Sequence, residues 1–370
     1  MDFNDIQKTY QGKRILITGH TGFKGSWLTL WLSRLGAEIG GFALDPAPEA
    51  QKLFCLVQPD LELDRRADIR DPKAIAETVK AFKPDFAFHL AAQPLVIESY
   101  RDPLATISTN VLGTANLLEA VRREAPTAHT IVVTTDKCYK NLESSHAYSE
   151  NDALGGHDLY AASKAATEII TAAFNQSFFE TIDVPGRLAT ARGGNVIGGG
   201  DYADNRIIPD LVKALATGQP IPIRNPHATR PWQHVLDCLS GYLALGSWLS
   251  SDAAAGSTQP RAFNIGPSTD CERTVRDLVE QSLKVWPGSW KDESESDAPH
   301  EASRLKIAIK LADSVLNWRP VWSFSETVNK TLLWYQADYS NSSNEQLKKL
   351  MLEQIETFQA DSSTLLKSSQ

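Results

Sequence analysis

The sequence predicts an α/β protein: a doubly wound parallel sheet followed by a smaller C-terminal substrate-binding domain. Three observations predict it. Short apolar runs alternate with segments of helical periodicity through about residue 175. A glycine-rich turn joins the first run to the first periodic segment. After about residue 190 the texture changes to glycine- and proline-rich chain.

The elements follow in order. Residues 14–18 (Arg-Ile-Leu-Ile-Thr) read as a first strand, and Gly19 to Gly25 as the turn. Leu28, Trp31, Leu32 and Leu35 lie at helical spacing over 26–35, and Gly36 ends that helix. Residues 38–44 form a second strand closed by Asp45-Pro46, and a weaker third strand lies near Asp68. Pro72 suits the first turn of a helix over 72–82. A fourth strand runs over 86–92, a helix over 109–123, a fifth strand over 128–135 and a helix over 159–174. Five glycines fall within 193–200, and prolines recur at 209, 220, 222, 226 and 231, a pattern that suits ligand loops better than a sheet. Residues 250–261 and the acidic 292–299 read as loops. Leu347, Met351, Ile355 and Phe358 predict a terminal amphipathic helix, with the last dozen residues disordered.

Composition narrows the function classes. The chain has 370 residues, 42% hydrophobic and 22% charged, so a large core needs no metal or disulfide staple. A net charge of −8 disfavours nucleic acid as a partner. Cys55, Cys138, Cys238 and Cys271 form no C-x-x-C pair, and the eight histidines show no metal-ligand spacing; no metal and a reduced compartment are expected. With no signal-like apolar run at the start and no membrane-length apolar stretch, a cytoplasmic protein without membrane partners is expected.

Gly19, Gly22 and Gly25 form G-x-x-G-x-x-G where a strand turns into a helix, the context in which backbone N–H groups approach a pyrophosphate. Asp45, twenty positions after Gly25, can accept hydrogen bonds from both ribose hydroxyls of NAD, or be only a turn residue before Pro46. Lys24 leaves NADP open. Asp68 can reach the adenine amino group or be a surface carboxylate. Tyr160 and Lys164 stand one helical turn apart, so the ammonium favours the phenolate and the tyrosine can act as a base on a hydroxyl.

Several separate stretches carry a resemblance: Gly19-His-Thr-Gly-Phe-Lys-Gly-Ser-Trp-Leu, Thr135-Asp-Lys-Cys-Tyr, Gly194-Asn-Val-Ile-Gly-Gly-Gly-Asp201 and Arg230-Pro-Trp-Gln-His234. From about residue 12 to 335 the chain resembles the extended short-chain dehydrogenase/reductases acting on nucleotide sugars, within the NAD-dependent epimerase/dehydratase family, and among them the 4,6-dehydratases. The resemblance implies a Rossmann domain over 1–192 with about 234–266 returning to it, and a sugar-nucleotide domain from 193–233 and 267–340; a C-terminal helix and tail occupy 341–370. It implies NAD held by Gly19, His20, Thr21, Gly22, Phe23, Lys24, Gly25, Asp45, Asp68, Ile69, Ala91, Ala92, Gln93, Tyr160 and Lys164. His20 reads as structural within that loop rather than catalytic. Substrate falls to Gln93, Thr135, Asn195, Arg206, Arg230 and His300, with Glu301 beside it. The catalytic set implied is Thr135, Asp136, Lys137, Tyr160 and Lys164. Asp136 serves as general acid for the departing 6-hydroxyl, and Lys137 as base, enolate stabiliser or holder of a water. Deoxysugar and O-antigen synthesis, and a homodimer through the helix from Thr109 and the one carrying Tyr160, are implied too.

The chain departs from that pattern at Ala161-Ala162, Tyr202 and Ala308, which bears on the nucleotide base more than on the reaction. Alternatives are the same reaction on another nucleotide hexose, 4-epimerisation, against which Asp136-Lys137 argues, and a non-catalytic NAD-binding sensor.

Overall fold

Ile15 and Ile17 bury into one hydrophobic core while Leu16 between them buries into another, so the first strand is covered on both faces. The computed structural model describes the chain except residues 1, 58–60, 181–186, 205, 255–256, 258, 269–270, 295–304 and 369–370. Its strands are β1 (Arg14–Thr18), β2 (Glu38–Ala43), β3 (Leu63–Arg66), β4 (Phe86–His89), β5 (His129–Thr135), β6 (Leu188–Gly193), β7 (Asn195–Ile197), β8 (Ile221–Ile223), β9 (Thr229–His234), β10 (Ala262–Ile265), β11 (Glu272–Thr274) and β12 (Trp290–Asp292). Seven of them form one parallel sheet in the order β10-β6-β5-β4-β1-β2-β3. The order reverses beside β1, which opens a crevice at the carboxyl ends of β1 and β4. This is the doubly wound α/β architecture that the alternation predicts.

Local chemistry explains the helices. Asp71 caps Pro72–Phe82 by accepting from the N–H groups of Lys73 (2.9 Å) and Ala74 (3.2 Å), and Pro72 opens the first turn. Helix Phe23–Arg34 starts at Phe23, three residues earlier than the apolar spacing indicates. The helix expected over 109–123 divides into a π-helical turn, Ser108–Leu112, and helix Gly113–Glu124. Its cause is hydroxyl insertion: Thr114 and Thr167 both donate to the Asn110 carbonyl, at 2.7 and 3.0 Å.

Three expectations are corrected. The fourth strand ends at His89, and residues 90–92 leave the ladder. The glycine- and proline-rich segment does build sheet: β7 and β11 flank β9, and β8 pairs with β12, in strands too short to show a period. Residues 359–368 continue helix Asn344–Ser368 instead of being disordered. Leu347, Met351, Ile355 and Phe358 anchor that helix, with Phe358 edge-on to Trp31 and Trp322. The loop expected over 292–299 lies largely outside the described residues.

Candidate active site

The glycine-rich turn fits a phosphate-bearing cofactor. Gly19 holds φ +74°, and a Cβ there would stand 2.7 Å from the Ala91 nitrogen. A Cβ on Gly25 would stand 2.1 Å from the Gly19 carbonyl oxygen. Gly22 precedes the helix with no side-chain cap, which leaves the first-turn N–H groups for an anion. Thr21 donates to the Leu44 carbonyl (3.2 Å) and so ties the turn to the end of β2, where Asp45 is exposed. Asp68 is engaged by Arg70 through Nε and Nη2, at 2.8 and 2.5 Å, which pulls its pKa down. Ile69 is buried against Gly113. Ala91 donates to the Thr18 hydroxyl (3.3 Å), and Ala92 follows at the crevice.

His20 faces away from the crevice. Its ring is buried against Gly41 and edge-on to Phe54, and Nε2 meets Asp64 Oδ1 at 3.1 Å. Burial lowers its pKa. It braces the turn from beneath. Phe23 packs toward Gly198. Lys24 turns inward, donating to the Tyr242 hydroxyl at 3.3 Å.

At the carboxyl end of β5 the chain turns through a 3₁₀ segment, Asp136–Cys138. Thr135 donates to Asp136 Oδ1 (2.9 Å), and the Lys137 N–H donates back to Thr135 (3.3 Å). Asp136 is buried, and its Oδ2 has no hydrogen-bond partner among the described residues. Burial raises its pKa against the opposing pull of Lys137, the Thr135 hydroxyl, Arg230 and Lys24. Such a carboxyl is suited to holding a proton.

Helix Leu159–Phe174 begins at its Asp158 cap, which accepts from the Ala161 N–H (2.8 Å) and sets Tyr160 and Lys164 on one buried face. Burial and the Asp136 charge push Tyr160 up to about 12, opposed by Arg206 and the Thr135 hydroxyl. Burial and Lys24 bring Lys164 down to about 8, against Glu168 and Cys138. Lys164 donates to the Val133 carbonyl at 3.2 Å.

Gln93 is fixed by four bonds: its N–H to Asn110 (2.8 Å), its side-chain amide N–H to Thr106 (2.9 Å), its side-chain oxygen accepting from the Leu95 N–H (2.5 Å), and its backbone carbonyl accepting from Asn110 (3.1 Å). Asn110 also donates to Ser163 (2.9 Å), so Gln93 is linked to the tyrosine helix. Asn195 opens β7 opposite Trp232. Arg230 is buried on β9 and acts on Asp136. Arg206 pairs with Asp201 (2.6 Å) and acts on Tyr160, so it faces the Tyr160 hydroxyl. His300 and Glu301 lie outside the described residues. Thus Thr135, Asp136, Tyr160, Lys164, Lys24, Arg206 and Arg230 act on one another in one cluster, while His20 pairs with Asp64 and Asp68 with Arg70.

Sequence reading missed Tyr242 and Cys238, which sit beneath Gly193 and Lys24, and the buried pair Glu168–Arg192. Opposite charges on otherwise apolar elements were the available signal for that pair.

The fold is that of the Rossmann-type nucleotide-binding proteins. The chain belongs to the GDP-mannose 4,6 dehydratase family, whose model matches residues 16–331. It is 42% identical to a CDP-glucose 4,6-dehydratase of Salmonella typhimurium over 89% of this chain and 92% of that relative. It is 27% identical to a dTDP-glucose 4,6-dehydratase of Xanthomonas campestris pv. campestris over 86% of this chain and 92% of that one. The solved structure of the epimerase Mth375 from Methanothermobacter thermautotrophicus superposes with a TM-score of 0.75 at 25% identity, covering 94% of this chain and 97% of the other. No helix among the described residues is long and apolar enough to cross a membrane, and no group of three or more metal-ligating side chains occurs among them.

Proposed function

We propose that this protein is an NAD-dependent 4,6-dehydratase that converts CDP-glucose to CDP-4-dehydro-6-deoxyglucose. One observation carries the reading: Asp136, buried with its pKa raised, shares the Thr135 hydroxyl beside the Tyr160–Lys164 pair. An epimerase needs the tyrosine and lysine only; a dehydratase also needs an acid that stays protonated until a hydroxyl departs. The 42% identity to a CDP-glucose enzyme over nearly its full length supports the nucleotide.

Gly19 to Gly25 and Asp45 would hold NAD, which when bound accepts a hydride from carbon 4 of the sugar and returns it to carbon 6. Tyr160 takes the 4-hydroxyl proton, and Thr135 orients that hydroxyl. Lys164 supplies the charge that favours the phenolate. The ketone acidifies the carbon-5 proton, and Lys137 acts at that carbon. Asp136 hands its proton to the departing 6-hydroxyl. Arg230, Asn195 and Gln93 hold the sugar nucleotide. On this reading the small sheets built from β7, β8, β9, β11 and β12 belong to the sugar-nucleotide domain.

The test incubates the protein and NAD with CDP-, dTDP-, UDP- and GDP-hexoses in turn. A product lighter by one water from the CDP sugar alone is expected; an isomer of unchanged mass, or no turnover, would overturn the reading.

The same reading includes a homodimer. Leu104, Leu112 and Ile169 are 76%, 57% and 58% exposed, on helix Pro103–Ile107, the adjoining π turn and the tyrosine helix. Leu112→Asp with Ile169→Asp is expected to weaken dimerisation roughly a hundredfold, read as monomer mass by sedimentation.

A further inference from the structure

We propose that Glu168 is a positioning residue of the dehydration, one buried carboxylate that sets both the charge of Lys164 and the pose of the Asp136–Lys137 turn. The inference rests on the reaction proposed above and adds to it a residue outside the reacting set.

Glu168 stands one helical turn beyond Lys164, and both side chains reach adjacent positions at the end of β5. Lys164 donates to the Val133 carbonyl at 3.2 Å, and Glu168 accepts from the Thr134 hydroxyl. The other carboxylate oxygen accepts from the Thr190 hydroxyl and from Arg192 Nη2, both at 2.8 Å. Arg192 Nη1 then donates to the Tyr139 hydroxyl (2.8 Å) and the Glu150 carbonyl (3.2 Å), with the guanidinium 5.0 Å above the Tyr139 ring. Tyr139 directly follows the turn that carries Asp136 and Lys137. Its hydroxyl donates to Asn264 on β10 (2.7 Å), which fixes the far side of the turn. One line of hydrogen bonds therefore runs from the tyrosine helix, across β5 and β6, to Tyr139, the residue after the turn that carries the acid.

Stability alone is a weak reason for this arrangement. Glu168 and Arg192 are 2% and 4% exposed at their side chains, and a pair so buried forfeits hydration that packed apolar residues would not. The electrostatic use is specific. Lys164 is faced by Lys24 from the glycine-rich turn, Cys138 from the 3₁₀ segment, His89 from β4, and Tyr160 and Glu168 from its own helix. Burial and Lys24 both drive the proton off Lys164; Glu168 is the leading influence that retains it. An ammonium that lost its proton below neutral pH would leave Tyr160 without its activating charge.

The test uses the full-length protein with Glu168→Gln, Glu168→Asp, and the double change Glu168→Gln with Arg192→Met, which removes both charges and spares the fold an unpaired buried guanidinium. Lys164 is titrated by trace acetic anhydride, a reagent small enough to enter the cleft, with acetylation of its peptide followed by mass spectrometry against pH. The wild-type midpoint is expected at about 8. In the double variant it is expected to fall by about one pH unit. Glu168→Asp is expected to recover part of the shift. In parallel the alkaline limb of kcat moves to lower pH while KM for the sugar nucleotide holds. A double variant that melts cooperatively but keeps the wild-type midpoint would overturn the proposal. The acetylation readout needs no turnover, so failure of the hexose assay sinks the reaction reading and leaves this result standing.

Discussion

Asp136→Asn is expected to lower turnover by roughly 10²- to 10⁴-fold and to raise the melting temperature at neutral pH. The chemical loss is selective. Asparagine keeps an oxygen for the Thr135 hydroxyl but cannot give a proton to a departing oxygen. Tyr160, Thr135 and Lys164 are untouched, so the near-ultraviolet absorbance of reduced nicotinamide still develops from substrate, while loss of water, followed by mass, stops. The gain in stability follows from linkage. Burial holds the folded-state pKa of Asp136 above its ordinary value, so the carboxyl stabilises the fold fully at pH below that ordinary value. The contribution is lost as pH rises through the folded-state value. A neutral amide has no such dependence. The variant is therefore expected to melt with the wild type in acid and above it near neutrality. A variant that sheds water at the wild-type rate removes Asp136 from the acid role; a melting difference that stays flat with pH refutes the buried-acid account.

The parts of this site legible in the sequence are those whose partners lie within one turn or one strand–helix junction. The G-x-x-G-x-x-G turn and the Tyr160–Lys164 spacing are local, and the helix Pro72–Phe82 has its cap and its proline beside it. The first, second, fourth and fifth strands were legible as mostly apolar runs, whereas β3 reads Leu-Asp-Arg-Arg and lies at Leu63–Arg66 rather than near Asp68, and β6 and β10 are broken by Arg192 and Asn264. Pairings across the chain were not legible. Lys24 meets Tyr242, 218 positions further along the chain, so its inward direction depends on where helix Val235–Leu249 lands. His20 sits in the phosphate turn by sequence, yet Gly41 leaves room for its ring beneath β2 and Asp64 holds it there. Arg206 carries the residue type of a phosphate ligand, but Asp201 five positions earlier turns it toward Tyr160. Strands of three residues such as β7 and β8 show no period for a pattern to reveal.

Tyr160→Phe is expected to lower turnover by roughly 10³-fold or more and to abolish the reduced-nicotinamide signal as well as water loss. That double failure separates it from Asp136→Asn, because the phenol acts before the carboxyl. Its pH behaviour has the same sign but a different window. Burial first, then the Asp136 charge, push the folded-state value of Tyr160 up to about 12, so at neutral pH the phenol is neutral in both folded and unfolded chains. The variant should thus melt like the wild type at neutral pH and gain on it only in alkali, above the ordinary tyrosine value. A tyrosine at about 12 is a poor base by itself, so its proton must leave as opposing charge arrives. The Thr135 hydroxyl beside the phenol helps its proton to leave, and Lys164, at about 8, gives the phenolate its counter-charge. Raising pH through the lysine value discharges the ammonium, so wild-type kcat is expected to decline above about 8. Should Tyr160→Phe still generate reduced nicotinamide at the wild-type rate, the base would have to be sought among the other groups lining the cleft.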